Sequence, residues 1–71
     1  MNQKIDIEIK TEYIKLDQLL KFAGLAESGG AAKEDIVQGA VLLNGRPEKQ
    51  RGRKVTKGDT VFFEDVEIHV C

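Results

Sequence analysis

The sequence has little of what catalytic or disulfide-built proteins rely on. Its 71 residues include one cysteine, one histidine and one proline. One cysteine cannot form a disulfide framework, and one histidine cannot form a histidine-rich metal site. His69 and Cys71 together offer two ligands, short of the four usual at structural zinc. A Ser/His/Asp catalytic set is not credible with a single histidine. Gly24 and Gly29 have the spacing of a phosphate loop, but Gly30 stands where lysine is required. No apolar run approaches the ~18 residues of a membrane span. The stretch Met1-Asn2-Gln3-Lys4-Ile5-Asp6 mixes charge with isoleucine and does not read as a signal peptide. The length allows one domain over residues 1–71, with a small continuous core. The expectation is a cytoplasmic, non-catalytic binding module with no cofactor and no membrane contact.

Net charge is also nearly absent, at −1, and by itself gives no hint of nucleic acid. Its distribution is more informative. Arg46, Lys49, Arg51, Arg53, Lys54 and Lys57 lie between Gly45 and Gly58 against one acid, Glu48, a local excess of +5. The remainder carries −6. Two readings follow from composition: a solvated charged loop, or a basic hook through which one face meets a polyanion.

Hydrophobic period organises the rest. Ile5, Ile7 and Ile9 alternate with charged residues, as in a half-buried strand. Leu16, Leu19, Leu20 and Ala23 then fall on one face of a helix, and Gly24 stops it. Ser28 is a candidate N-cap for a second helix, with Ala32 and Ile36 on its inner face and Gly39 at its end. Gly29 and Gly30 in its first turn each cost up to ~1 kcal/mol relative to alanine. Val41-Leu42-Leu43 returns to strand, and Asn44-Gly45 is a tight-turn signal. Pro47 confines its segment to an edge or a loop. Thr60–Phe63 and Val66–Val70 read as two further strands.

The predicted fold is therefore α+β, with helices near 16–23 and 29–38 on a small, mostly antiparallel sheet. Leu16, Leu19, Leu20, Ala32, Ile36, Val41, Leu43, Val61 and Phe63 are the predicted core. Tyr13 and Phe22 are expected at the core edge, and Cys71 as a free, flexible end. One of Phe62 and Phe63 should face inward. Asp17, in the first helical turn, reads as structural: a partner for the helix dipole or a holder of a basic neighbour.

Three motifs in order resemble the S-four RNA-binding domain, named for the fourth protein of the small ribosomal subunit. They are Lys15-Leu16-Asp17-Gln18-Leu19-Leu20; the run Ser28, Ala32, Ile36, Gly39, Val41, Leu43, Asn44, Gly45; and Val55, Gly58, Asp59, Val61. The Gly-Gly after Ser28 and the Arg-Gly-Arg-Lys run at 51–54 look like a small stand-alone bacterial subfamily. The resemblance implies a motif of two helices and a hairpin, the alpha-L motif, whose exposed face rests on structured RNA. The implied contacts are Lys15 and Lys21 on the first helix and Ser28, Gly29, Gly30 and Lys33 on the second. Asn44, Arg46, Lys49, Arg51, Arg53 and Lys54 follow in the hairpin and loop. Many members carry arginine directly after the serine; Gly29 stands there, so one expected cation is missing. The implied partner is ribosomal or transfer RNA, bound by a monomer, with the ribosome or a ribosome-associated protein as a further partner. The loop cations are expected to lie apart from the packing, so that replacing Arg51, Arg53 and Lys54 barely moves stability.

The competing reading is a ubiquitin-like β-grasp sulfur carrier or a protein-interaction adaptor. Val41–Gly45 and Gly58–Val61 suit a β-grasp domain, but His69-Val70-Cys71 stands where that chemistry needs Gly-Gly.

Overall fold

The computed structural model describes residues 3–71, so Met1 and Asn2 of the N-terminal stretch lie outside it. The elements are β1 (Gln3–Ile7), β2 (Ile14–Lys15), α1 (Leu16–Phe22), α2 (Gly29–Val37), β3 (Leu42–Leu43), β4 (Arg46–Pro47), β5 (Lys54–Val55), β6 (Thr60–Phe63) and β7 (Val66–Val70). Five strands form one sheet in the order β1-β7-β6-β3-β4, and β2 pairs with β5 separately. All pairings are antiparallel except β1 with β7. The fold is α+β with a mostly antiparallel sheet, as the alternation of periods implies. No helix among the described residues is long and apolar enough to cross a membrane.

The core forms where the two periods meet. Leu16, Leu19 and Leu20 of α1 and Ala32 and Ile36 of α2 are fully buried. They share one cluster with Ile7, Leu43, Val55, Val61, Phe63, Ile68 and Val70 from the strands. Register explains the inward set: Val61 lies opposite Ile68, Phe63 opposite Val66, and Ile7 opposite Val70. Burying a leucine or isoleucine of this size contributes about 1.5–3 kcal/mol.

Both helices stop in the same way. The Gly24 amide donates to the Lys21 carbonyl at 3.1 Å and the Leu25 amide to Leu20 at 2.9 Å. Gly39 and Ala40 repeat this on Ile36 and Asp35, at 3.0 and 3.1 Å. These paired bonds require a left-handed residue just past the helix, and Gly24 and Gly39 supply it at φ +77° and +81°.

Several sequence expectations need correction. Phe22 is 70% exposed and Tyr13 39%, so neither closes the core edge. At 100° per residue, Phe22 lies roughly 110° from the centre of the Leu16-Leu19-Leu20 stripe, which turns it outward. Cys71 is no loose end: its amide donates to the Ile7 carbonyl at 2.9 Å, and its carbonyl accepts from the Ile9 amide at 2.9 Å. It thereby extends the parallel ladder past Val70. A second tight turn, Glu64-Asp65, joins β6 to β7 with φ of 51° and 66°, without the Asn-Gly signature that marked the first.

The two turns flanking the β3–β6 pair are tied together. Asn44 Nδ2 donates to Asp59 Oδ1 at 3.1 Å, and the Thr60 amide donates to Asn44 Oδ1 at 2.9 Å. Asp59 Oδ2 accepts from the Thr56 amide and hydroxyl at 2.8 and 3.2 Å. The Thr56 amide bond, helped by the side chains of Asn44 and Thr56, holds the Asp59 carboxyl below its ordinary 3.8, against a smaller opposing effect of burial.

Two outcomes follow. Ionised Asp59 stabilises the fold above pH 3.8, and that contribution disappears as pH falls below 3.8 through the lower folded-state value. Asp59→Asn should therefore be less stable than the parent near neutrality, with the gap closing on acidification; a gap that denaturant titrations find unchanged by pH contradicts this. Gly39→Ala should lose about 1–2 kcal/mol in the same titrations, because alanine is strained at positive φ. Its Cβ would also meet Lys49 Cε at 3.3 Å.

Candidate nucleic-acid interface

The start of α1 is built by the basic loop. Lys15 occupies its N-cap position without a side-chain cap bond. The first amides of a helix have no acceptor within it. Here the Leu16 amide donates to the Arg53 carbonyl at 2.9 Å and the Asp17 amide to the Arg51 carbonyl at 3.2 Å. The Gln18 amide donates to Asp17 Oδ1 at 2.8 Å. Arg51 adds a side-chain bond, its Nε donating to Asp17 Oδ2 at 3.1 Å. Next to it, Ile14 pairs with Val55 and Lys15 with Lys54, and Val55 is fully buried. The loop is thus fastened to β2 and the start of α1 through residues 51–55.

This fastening places cations. Lys15 and Lys54 lie opposite one another across an antiparallel pair, an unfavourable arrangement for like charges. Lys54 Nζ rests 4.8 Å above the Tyr13 ring centre, a cation–π contact that fixes its side chain. Arg51 reaches the second helix: one Nη lies 3.9 Å from where a Gly29 Cβ would stand. Ser28 caps α2, its hydroxyl accepting from the Ala31 amide at 3.2 Å. The amides of Gly29 and Gly30 have no intrahelical acceptor. The structure therefore brings Lys15, Lys54, Arg51, Ser28, Gly29 and Gly30 to linked positions around the two helix starts.

The other candidates are spread around these positions. Lys49 lies over Gly39 at the carbonyl end of α2, where the helix dipole favours a cation. Arg46 and Arg53 line a shallow depression with Leu43, Asn44, Pro47 and Glu48. Lys33 lines another with Gly30, Glu34, Val37 and Gln38. Lys21 is exposed in the last turn of α1. The Asn44 amide is engaged with Asp59 and Thr60, a structural position. Lys4 stands apart on β1, 3.9 Å from Glu67, which also bonds His69 Nε2 at 2.8 Å.

Arg51 departs from the picture of loop cations free of the scaffold. It pairs with a carboxylate that is largely buried, so its removal leaves Asp17 without that partner. Asp17 is the holder of a basic neighbour, but that neighbour is 34 residues away in sequence. Tyr13 is the residue that sequence reasoning missed. Its one signal is the placement two residues before Lys15, on the same face of an extended segment.

The chain is similar to known proteins. A family model described as the S4 domain matches residues 7–71. A Bacillus subtilis protein named "Probable ribosome maturation protein RlbA" is 47% identical over 58 residues, covering 82% of each chain. An Escherichia coli protein named "Putative RNA-binding protein YbcJ" is 36% identical over 61 residues, covering 86% of this chain and 87% of that one. The solution structure of E. coli YbcJ, whose authors describe an alpha-L motif involved in RNA binding, superposes with a TM-score of 0.67 at 33% identity. That match covers 94% of this chain and 84% of the other. With a family match over nearly the whole length and relatives alike at this level, the chain belongs to the S4 domain family.

Proposed function

We propose that this chain is a non-catalytic RNA-binding module that recognises structured RNA through the surface around the starts of α1 and α2. The observation that carries this reading is the fastening of residues 51–55 onto residues 14–17, which holds Lys15, Arg51 and Lys54 in fixed relative positions. Double-stranded RNA is read mainly by shape, through phosphates and 2′-hydroxyls, and a rigid set of cations and amides is sufficient for that. The opposed Lys15 and Lys54 favour the same reading, because a phosphate between them relieves their repulsion. The names of the B. subtilis and E. coli relatives support an RNA partner, and the former favours ribosomal over transfer RNA.

The test is a salt-matched competition between a structured RNA and duplex DNA of equal length. The RNA should win; equal affinities contradict the reading. If about five phosphates are neutralised, log K should fall with log salt at a slope of roughly −3.5 to −4.5, from ~0.7–0.9 per contact. Lys15→Gln should reduce the magnitude of that slope by about 0.7–0.9. Its melting temperature should hold or rise, since one of two opposed like charges is gone. A fall in melting temperature would make Lys15 part of the scaffold.

A further inference from the structure

A carboxylate on a surface that meets a polyanion is unfavourable by charge alone. Asp17 nevertheless sits in the middle of the candidate contact surface, and both of its oxygens are occupied. Oδ1 accepts from the Gln18 amide and Oδ2 from Arg51 Nε. The same two residues are also joined through the main chain, Asp17 amide to Arg51 carbonyl. The Asp17 side chain is 10% exposed, whereas that of Arg51 is 49% exposed. The Arg51 Nε is thus engaged by a largely buried carboxylate. The side chain is otherwise about half exposed, and one Nη lies 3.9 Å from where a Gly29 Cβ would stand.

We infer that Asp17 is a positioning residue: it holds Arg51 by Nε so that the Nη pair is presented to a backbone phosphate. This rests on the RNA-binding reading above. The chemistry suits the task. A guanidinium has five N–H donors in a rigid fork, and using Nε leaves four for a phosphate. An arginine already held in one rotamer loses less freedom on binding than one on a mobile loop. Asp17 therefore strengthens the RNA contact by arranging its neighbour, against the sign of its own charge.

An A-form RNA hairpin is the probe, with binding followed by fluorescence anisotropy at fixed low salt. Circular dichroism establishes that each variant is folded at the assay temperature. Asp17→Asn retains an acceptor for the Gln18 amide but loses the charge that holds Arg51. It should weaken binding about three- to tenfold, although it removes a negative charge facing a polyanion. In an Arg51→Ala background the same substitution should leave binding unchanged or tighten it. Binding by Asp17→Asn as tight as the parent's overturns the inference. So does an equal loss in both backgrounds, which marks a purely scaffold role. A second measurement needs no variant to fold. In the parent, the Arg51 Nε–H resonance should keep its position as hairpin is added while the Nη resonances move; movement of Nε–H to the free-arginine position overturns the inference. If the parent binds no hairpin at low salt, the RNA-binding reading itself falls and takes this one with it. A parent that binds while Asp17→Asn is indifferent overturns the positioning role alone.

Discussion

The amides at the start of α1 have to be bonded, and among the described residues two of them find their acceptors in a loop some 35 residues further along. Leu16 is fully buried at the first helical position, so water is a poor substitute there. A helix of seven residues is too short to stand on its own hydrogen bonds. The carbonyls of Arg51 and Arg53 fill this need, and Asp17 supplies the third acceptor. Because two of these bonds go to carbonyls, they do not depend on which side chains stand at 51 and 53, although the Arg51 side chain also holds Asp17. Those positions can be basic without weakening the cap, so one set of bonds both completes a helix and mounts cations on it.

The two helix starts consequently do different things. That of α1 is closed by the loop, while that of α2 keeps two glycine amides outside its internal ladder. The loop passes between the ends of α2, with Lys49 at its carbonyl end and Arg51 near its amide end. Part of the acidic charge lies away from this region. Asp6, Glu8, Glu64 and Asp65 are exposed on β1, just beyond it and on the β6–β7 turn. On the proposed reading, this uneven distribution of charge would orient an approaching RNA before contact.

Much of the fold was legible because it is local. The stripe of Leu16, Leu19 and Leu20, the Ser28 cap, the stops at Gly24 and Gly39 and the Asn44-Gly45 turn are each specified within about a helical turn of chain. What was not legible depends on distant partners. The parallel pairing of β1 with β7 joins residues more than 60 apart, and it is what holds Cys71 in place. The Glu64-Asp65 turn lacks the residues that ordinarily announce positive φ, and only the β6–β7 register requires it. The candidate site divides in the same way. Its cations were readable as a cluster along the chain. Their sorting by place was not, since the Asp17–Arg51 pair, the Lys54–Tyr13 contact and the seat of Lys49 over Gly39 are all made across the fold.

That sorting bears on how such a surface discriminates. The candidate cations are spread over the two helix starts, the loop and the carbonyl end of α2. Tyr13 has one ring face covered by Lys54, and Phe22 borders an apolar groove with Glu8, Ile9, Lys10, Thr11 and Ile14 instead of the loop. Phe62 lies on the sheet, next to the buried Phe63. On the proposed reading, selectivity would come from the spacing of charge. Fixed cations at the two helix starts match some phosphate geometries and mismatch others, and a mobile loop of the same composition would accept nearly any of them. On the proposed RNA-binding reading, rigidity is what would turn the basic stretch into a shape reader, and it derives from the helix-capping bonds with which the loop completes α1.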